Sequence, residues 1–225
     1  MVNLGGDNIF ENNEFRCYRW AVDILQAPQE VYEAFSKLGL LGKKIASIKS
    51  VGHGYSIGDY SYGDLSGCYD EEPLDEDENT PCPMAVEIDE PMIIVFEDGE
   101  RFEIDYSEAS SVMMAKNTLP IDIKAGINFR NFDASKLFSP CIGQTIIGIK
   151  VTPSEYYPYD FTGSYGMAID YNQEAYIKKM DIYLDGNMKL SFSSWYDYGY
   201  MCLTDMDDNK LQTTFGELKA ALILE

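Results

Sequence analysis

The sequence predicts a mainly β protein, or a β-rich α+β one, made of two related β units with a peripheral helix near each end. Three observations carry that expectation. A short stretch in the first half returns in the second. Each half then carries the same hairpin pattern. Only two segments have the periodicity of a helix.

Taken in chain order, Phe15 to Ile24 reads as a strand, rich in aromatic and β-branched residues. Pro28 to Gly39 reads as a helix. Proline stands in its first turn, Val31, Ala34, Phe35 and Leu38 share one face, and glycine closes it. The repeat follows. Gly42, Ile45, Ile48 and Lys49 return as Gly143, Ile146, Ile149 and Lys150, an offset of 101, and the same offset aligns Tyr55 with Tyr156, Asp59 with Asp160 and Tyr60 with Phe161. Residues 42–61 share six identities with their counterparts, where average residue usage gives about one. Upstream, Ser36, Lys37 and Leu38 match Ser135, Lys136 and Leu137. This pattern is that of an internal duplication.

Each unit continues with a β run, an Asp-Gly pair and a run alternating apolar with polar, at Asp98-Gly99 in the first and Asp185-Gly186 in the second. Asp-Gly accepts the positive φ angles of a tight hairpin turn, and alternation turns one strand face to a core. The segment 70–83 is acidic, poor in apolar residues and punctuated by proline, which predicts a loop. A short turn from Asp133 precedes the second unit. Near the end, Thr214 and Glu217 have capping-box spacing before Leu218, Ala221 and Leu222. The expected division is 1–38 for an N-terminal strand and helix, 39–117 for the first unit, 118–140 for a connector and 141–225 for the second unit with its helix.

Charge sets the function classes. The 225 residues hold 38 acids against 17 bases, a net charge of −21. Such a field repels phosphate backbones and anionic lipid, so neither nucleic-acid nor membrane-surface binding is expected, whereas cationic partners are attracted. No apolar run approaches the roughly 18 residues of a transmembrane span, and the start lacks a basic stretch followed by an apolar one, so a cytoplasmic protein is expected. The five scattered cysteines, Cys17, Cys68, Cys82, Cys141 and Cys202, then read as free thiols.

Catalytic signatures are sparse. The single histidine, His53, lies between two glycines after a strand and reads as a loop residue. Residues 75–79 and 205–209 have the D-x-D-x-N spacing of a calcium loop, but Thr80 and Lys210 replace the required glycine and the closing glutamate is absent, so solvated loops are the expectation. Phosphate-binding glycine loops are missing. No cofactor and no metal are expected. Paired carboxylates of the glycosidase kind cannot be picked out by sequence among 38 acids.

The distinctive feature is 17 tyrosines, clustered after the repeated stretches. Tyrosine beside glycine, serine and aspartate suits recognition surfaces, though the same rings also suit packing. The expected binding residues are Tyr55, Asp59 and Tyr60 with their counterparts Tyr156, Asp160 and Phe161. The composition is similar to that of small acidic inhibitors of the immunity-protein kind, without a shared motif. The function expected is therefore a non-catalytic interaction module engaging a basic protein partner. The alternatives are a carbohydrate-binding protein or glycoside hydrolase using the same Tyr and Asp loops, and a structural subunit whose aromatics bury a homo-oligomer surface.

Overall fold

A computed structural model of the chain describes residues 22–53, 78–79, 81–88, 91–107, 111–119, 129–154, 176–195, 198–214 and 216–217. The protein is mostly β. Strand β1 (Ile24–Leu25) is followed by the helix α1 (Pro28–Leu38) and then by β2 (Ile45–His53), β3 (Pro81–Pro83), β4 (Ala85–Ile88), β5 (Met92–Phe96), β6 (Arg101–Ser107), β7 (Ser111–Lys116), β8 (Phe129–Asp133), β9 (Ile146–Ser154), β10 (Tyr176–Leu184), β11 (Met188–Trp195), β12 (Tyr198–Asp205) and β13 (Gln212–Thr214). Of the predicted N-terminal strand only its end, β1, falls among the described residues.

The expected first helix forms. Ala27 at its N-cap has no side chain that can accept a bond, and the Glu30 carboxylate instead takes the N–H groups of Gln26 and Ala27 at 2.9 and 3.1 Å. Gly39 (φ 66°) ends the helix in the left-handed region and donates its N–H to Ser36. Val31 and Phe35 are buried as the spacing requires. At the C-terminus the capping box is also formed: Glu217 N–H donates to Thr214 Oγ1 and Thr214 N–H to Glu217 Oε2, both at 3.2 Å. Gly216 and Glu217 are helical, and the rest of that predicted helix lies outside the described residues.

Two antiparallel sheets hold the strands in the orders β1-β7-β6-β5-β2-β8 and β4-β12-β11-β10-β9, and β3 pairs with β13 in a small third sheet. Within the large sheets, β2-β5-β6-β7 and β9-β10-β11-β12 are meanders of the same order, one from each half of the chain. Strand pairing joins stretches that the sequence divided. Strand β4, in the first half, adds to the free side of β12, and β8, in the connector, adds to the free side of β2. The acidic segment 70–83 is not loop to its end, because Pro81–Pro83 pairs with Gln212–Thr214 and Gly216 N–H reaches Glu78.

Period-two alternation explains the interior. From β6, Phe102, Ile104 and Tyr106 enter a core shared with Ile182, Leu190, Phe192 and Leu203 of the second sheet, and α1 adds Val31 and Phe35. Each fully buried aliphatic or aromatic side chain contributes about 1.5–3 kcal/mol relative to exposure. Strand β5 is buried on both faces. Met92, Ile94 and Phe96 join the shared core, while Ile93 and Val95 join Ala115 and Leu119 in a smaller outer cluster. The backbones of β12 and β6 approach closely. A Cβ built on Gly199 would stand 1.7 Å from the Tyr106 carbonyl oxygen, so β12 and β6 can meet there only without a side chain. Beside this contact the buried Tyr106 hydroxyl donates to the Ile177 carbonyl at 3.1 Å.

The hairpin turns differ from the two-residue form that Asp-Gly predicts. Phe96 N–H donates to Glu100, enclosing the three residues Glu97–Gly99. Leu184 pairs with Met188 around Asp185–Asn187. The left-handed residue is the third of each loop, Gly99 (φ 82°) in one and Asn187 (φ 56°) in the other. Structural equivalence therefore shifts the Asp-Gly pairs by one residue: Asp98 corresponds to Gly186. A Cβ at Gly186 would meet the end of the Gln144 side chain, which would have to move aside.

No helix among the described residues is long and apolar enough to cross a membrane. Cys82, Cys141 and Cys202 are buried, and burial pushes the Cys141 thiol up to about 12 and Cys202 upward.

Candidate functional site

The repeated stretches lead directly into the segments expected to bind. Leu40 to Lys43 and Cys141 to Gln144 form matching turns, closed by Lys43 N–H to Leu40 at 3.2 Å and Gln144 N–H to Cys141 at 3.1 Å, with Gly42 (φ 79°) and Gly143 (φ 82°) in the left-handed position. The two turns then bond to each other. Ile45 N–H donates to Gln144 and Ile146 N–H to Lys43, around an antiparallel bridge between Lys44 and Thr145. Gly42 N–H donates to Ile146 and Gly143 N–H to Ile45, the same pair of bonds under exchange of the halves. The following hairpins close on the bridge alike, Glu97 N–H on Lys44 and Asp185 N–H on Thr145.

Because the bridge is antiparallel, β2 and β9 leave it in opposite directions. All six expected site residues, Tyr55, Asp59, Tyr60, Tyr156, Asp160 and Phe161, lie outside the described residues. The strands that lead to the two sets run apart.

Around the bridge, acids and bases are matched. Lys43 pairs with Asp98 and, at 2.5 Å, with Glu100; Lys116 also holds Glu100, and Lys44 holds Glu97 at 2.7 Å. These bonds raise Lys43 above its ordinary pKa and lower Asp98 and Glu100. Asp185 is lowered because its carboxylate accepts the Thr145 N–H.

A second group of ionisable side chains lies on the outer face of the second sheet. Alternation places Lys179, Asp181 and Tyr183 of β10, Lys189 and Ser191 of β11 and Thr204 of β12 on that face. Asp181 and Lys189 are each 3% exposed. Ser191 Oγ donates to Asp181 at 2.7 Å and bonds Thr204 Oγ1 at 2.9 Å. Lys179 Nζ lies 3.2 Å from Asp181, and Lys189 Nζ lies 3.9 Å from it and 5.7 Å from the Tyr183 ring centre. Both ammonium groups converge at 2.5 Å on one oxygen of Asp208, a side chain 62% exposed on the loop after β12. Its bonds to Lys179 and then Lys189 hold Asp208 at about 2. Burial alone would lower Lys179, but Asp208 and Asp181 raise it. The group is charge-matched throughout and chemically quiet, and it fastens the 205–209 loop to the sheet.

That loop was one of the two with calcium-like spacing. Asp205 instead accepts the N–H groups of Asp207 and Asn209 and the Asn209 side-chain amide at 2.8–2.9 Å, which lowers its pKa. Its carboxylate closes its own turn. Among the described residues no group of three or more His, Cys, Asp or Glu side chains could hold a metal ion. Sequence reasoning missed the outer-face group because its acids and bases come from two strands and a loop. Lys179 and Asp181 on β10, and Lys189 and Ser191 on β11, each two apart, left the local trace.

Charge is unevenly distributed along the chain. The described residues contain 17 of the 38 acids but 13 of the 17 bases. No known family model matches the sequence, and neither a curated protein nor a solved structure matches it significantly.

Proposed function

We propose that the protein is a non-catalytic interaction module, of the inhibitor or immunity type, in which two units arisen by duplication form one sandwich whose acidic excess engages a basic protein partner. One observation carries the reading. The described residues carry 17 acids against 13 bases, so most of the net charge of −21 belongs to sequence outside them, including 70–77 and the Tyr- and Asp-bearing segments after β2 and β9. An acidic excess of this size steers an oppositely charged partner, chiefly through the association rate.

The test is capture on immobilised protein at low salt, followed by a salt gradient, beside an unrelated column of equal acidity. A specific basic protein retained by the first column only, and lost when Asp59→Asn and Asp160→Asn are combined, supports the proposal. Retention identical on both columns overturns it.

A further inference from the structure

We infer that the outer face of the first sheet is a docking site for the chain's own segment 120–128, laid extended across it from β7 towards β8. This docking goes beyond the partner reading and depends on no charged partner.

The face is built by the strand residues that alternate away from the shared core. Ile93 of β5 stands opposite Glu103 of β6, which stands opposite Ala115 of β7, and in the next row Val95 stands opposite Arg101. A solvated face would leave such residues open to water. Instead Ile93 and Glu103 are fully buried, and Val95 and Ala115 are 9% and 7% exposed. Among the described residues, the hydrophobic side chains that join Ile93, Val95 and Ala115 in this cluster are Leu119, Val22 and Met113, and Met113 belongs to the sheet itself.

The chain turns onto this face directly after β7. Asn117 (φ 59°) reverses it while staying bonded to Arg101, its N–H to the Arg101 carbonyl at 3.0 Å and the Arg101 N–H to its side-chain oxygen at 2.8 Å. Glu103 then accepts the Thr118 N–H at 2.8 Å, the Thr118 hydroxyl and the Leu119 N–H at 2.9 Å. A carboxylate on the neighbouring strand thus draws the chain from β7 over β6, and Leu119, 1% exposed, enters the cluster that holds Ile93 and Val95 of β5. The next described strand, β8, lies on the far edge of the sheet, four strand positions from β7. That is about 19 Å at roughly 4.8 Å per strand. The nine residues 120–128 reach about 30 Å when extended.

The sequence of the segment fits that path. Continuing from Leu119, every second residue is apolar, Ile121, Ile123, Ala125 and Ile127, and Asp122, Lys124 and Asn128 fall between them. Pro120 biases Leu119 to extended backbone, and period-two alternation gives an extended segment one apolar side. Leu119 sets the phase, because it is already buried on the sheet. The isoleucines follow it onto the face, and Asp122 and Lys124 turn to water.

The test uses the full chain with labelled isoleucine and valine methyl groups, and trypsin as a second probe. Ile123→Val removes one methylene and should shift the methyl resonances of Ile93 and Val95. Cleavage after Lys124 should be about tenfold or more slower than in a free peptide of residues 117–131. Ile121→Ser combined with Ile123→Ser should abolish most of that protection, and Asp122→Ser should leave it intact. Unmoved Ile93 and Val95 in Ile123→Val overturn the inference; if Phe15→Leu moves them instead, the face belongs to the sequence before Val22. Cleavage after Lys124 as fast as in the free peptide, or quickened equally by Asp122→Ser, overturns it as well.

Discussion

Strands β2 and β9 rise from the same glycine turn, cross at the same bridge and bulge at the same residue, yet they close their outer edges by different means. In the first sheet a five-residue strand and a serine hydroxyl complete the edge of β2. In the second a helix lies beside β9 and supplies one tyrosine hydroxyl, and a proline removes another donor. The turn depends on residues that recur, Gly42 with Gly143 and Ile45 with Ile146. The edge depends on the segment before each unit, where Asp133-Ala-Ser135 has only Ala34-Phe35-Ser36 as its counterpart. Local geometry repeats where its own residues repeat. Edge protection does not, because it is contributed from outside the unit.

The severest way to break the comparison is to force the sheets apart. Gly199→Ala sets a methyl against the Tyr106 backbone, which cannot rotate away, and a loss of about 3 kcal/mol or more is expected in urea unfolding. Gly148→Ala on β9 meets nothing within 4 Å and should change stability by less than about 0.5 kcal/mol. Next in size is Lys189→Met. It leaves Asp181, 3% exposed, with Lys179 as its remaining cation, and breaking a buried pair from one side costs roughly 3 kcal/mol. A loss below about 1 kcal/mol would mean that Lys179 alone compensates the carboxylate.

What could be read beforehand follows the same division. Helix α1, the capping box at Thr214, and the β runs on either side of each Asp-Gly pair were legible because their causes lie within a few residues. The matching turns were legible as a repeat, but nothing local says that they bond to each other. The placement of β4 on β12 and of β8 on β2 was hidden for that reason, since both pairings join distant stretches through backbone groups common to every sequence. The hairpin loops misled in detail. Asp-Gly looks like a two-residue turn, but each loop takes three residues, and in the second Asn187 rather than Gly186 adopts the left-handed conformation. The six expected site residues fall outside the described residues, so the tyrosine argument rests where the sequence left it.

A gentler comparison sets Gly42→Ala beside Gly143→Ala. Both glycines have φ near +80°, and a Cβ would find open space at the first and only ordinary contact with Lys44 at the second. Each change should cost about 1–2 kcal/mol, the penalty of a left-handed alanine, and the two costs should agree closely. A large inequality would show that one turn carries load the other does not, and that the bridge is less symmetric than its hydrogen bonds.

The smallest effect separates two loops with the same backbone bonds. Phe96 to Glu100 and Asp205 to Asn209 each close with a first-to-fifth bond and carry a lysine-paired aspartate, Asp98 and Asp208. Lys43 is partly exposed, whereas Lys189 is buried and has few other groups to satisfy it. Asp98→Asn should therefore leave stability unchanged within error. Asp208 is held at about 2 when folded, below the roughly 3.9 of an unfolded aspartate, so its contribution is complete above pH 4 and disappears as pH falls through 2. Because the side chain is 62% exposed, solvent limits that contribution to below about 1 kcal/mol. Urea unfolding at pH 5 and pH 2.5 should show a small loss for Asp208→Asn at the higher pH and a smaller one at the lower. An equal loss at both would place the role of Asp208 in the shape of the loop rather than in its charge on Lys189.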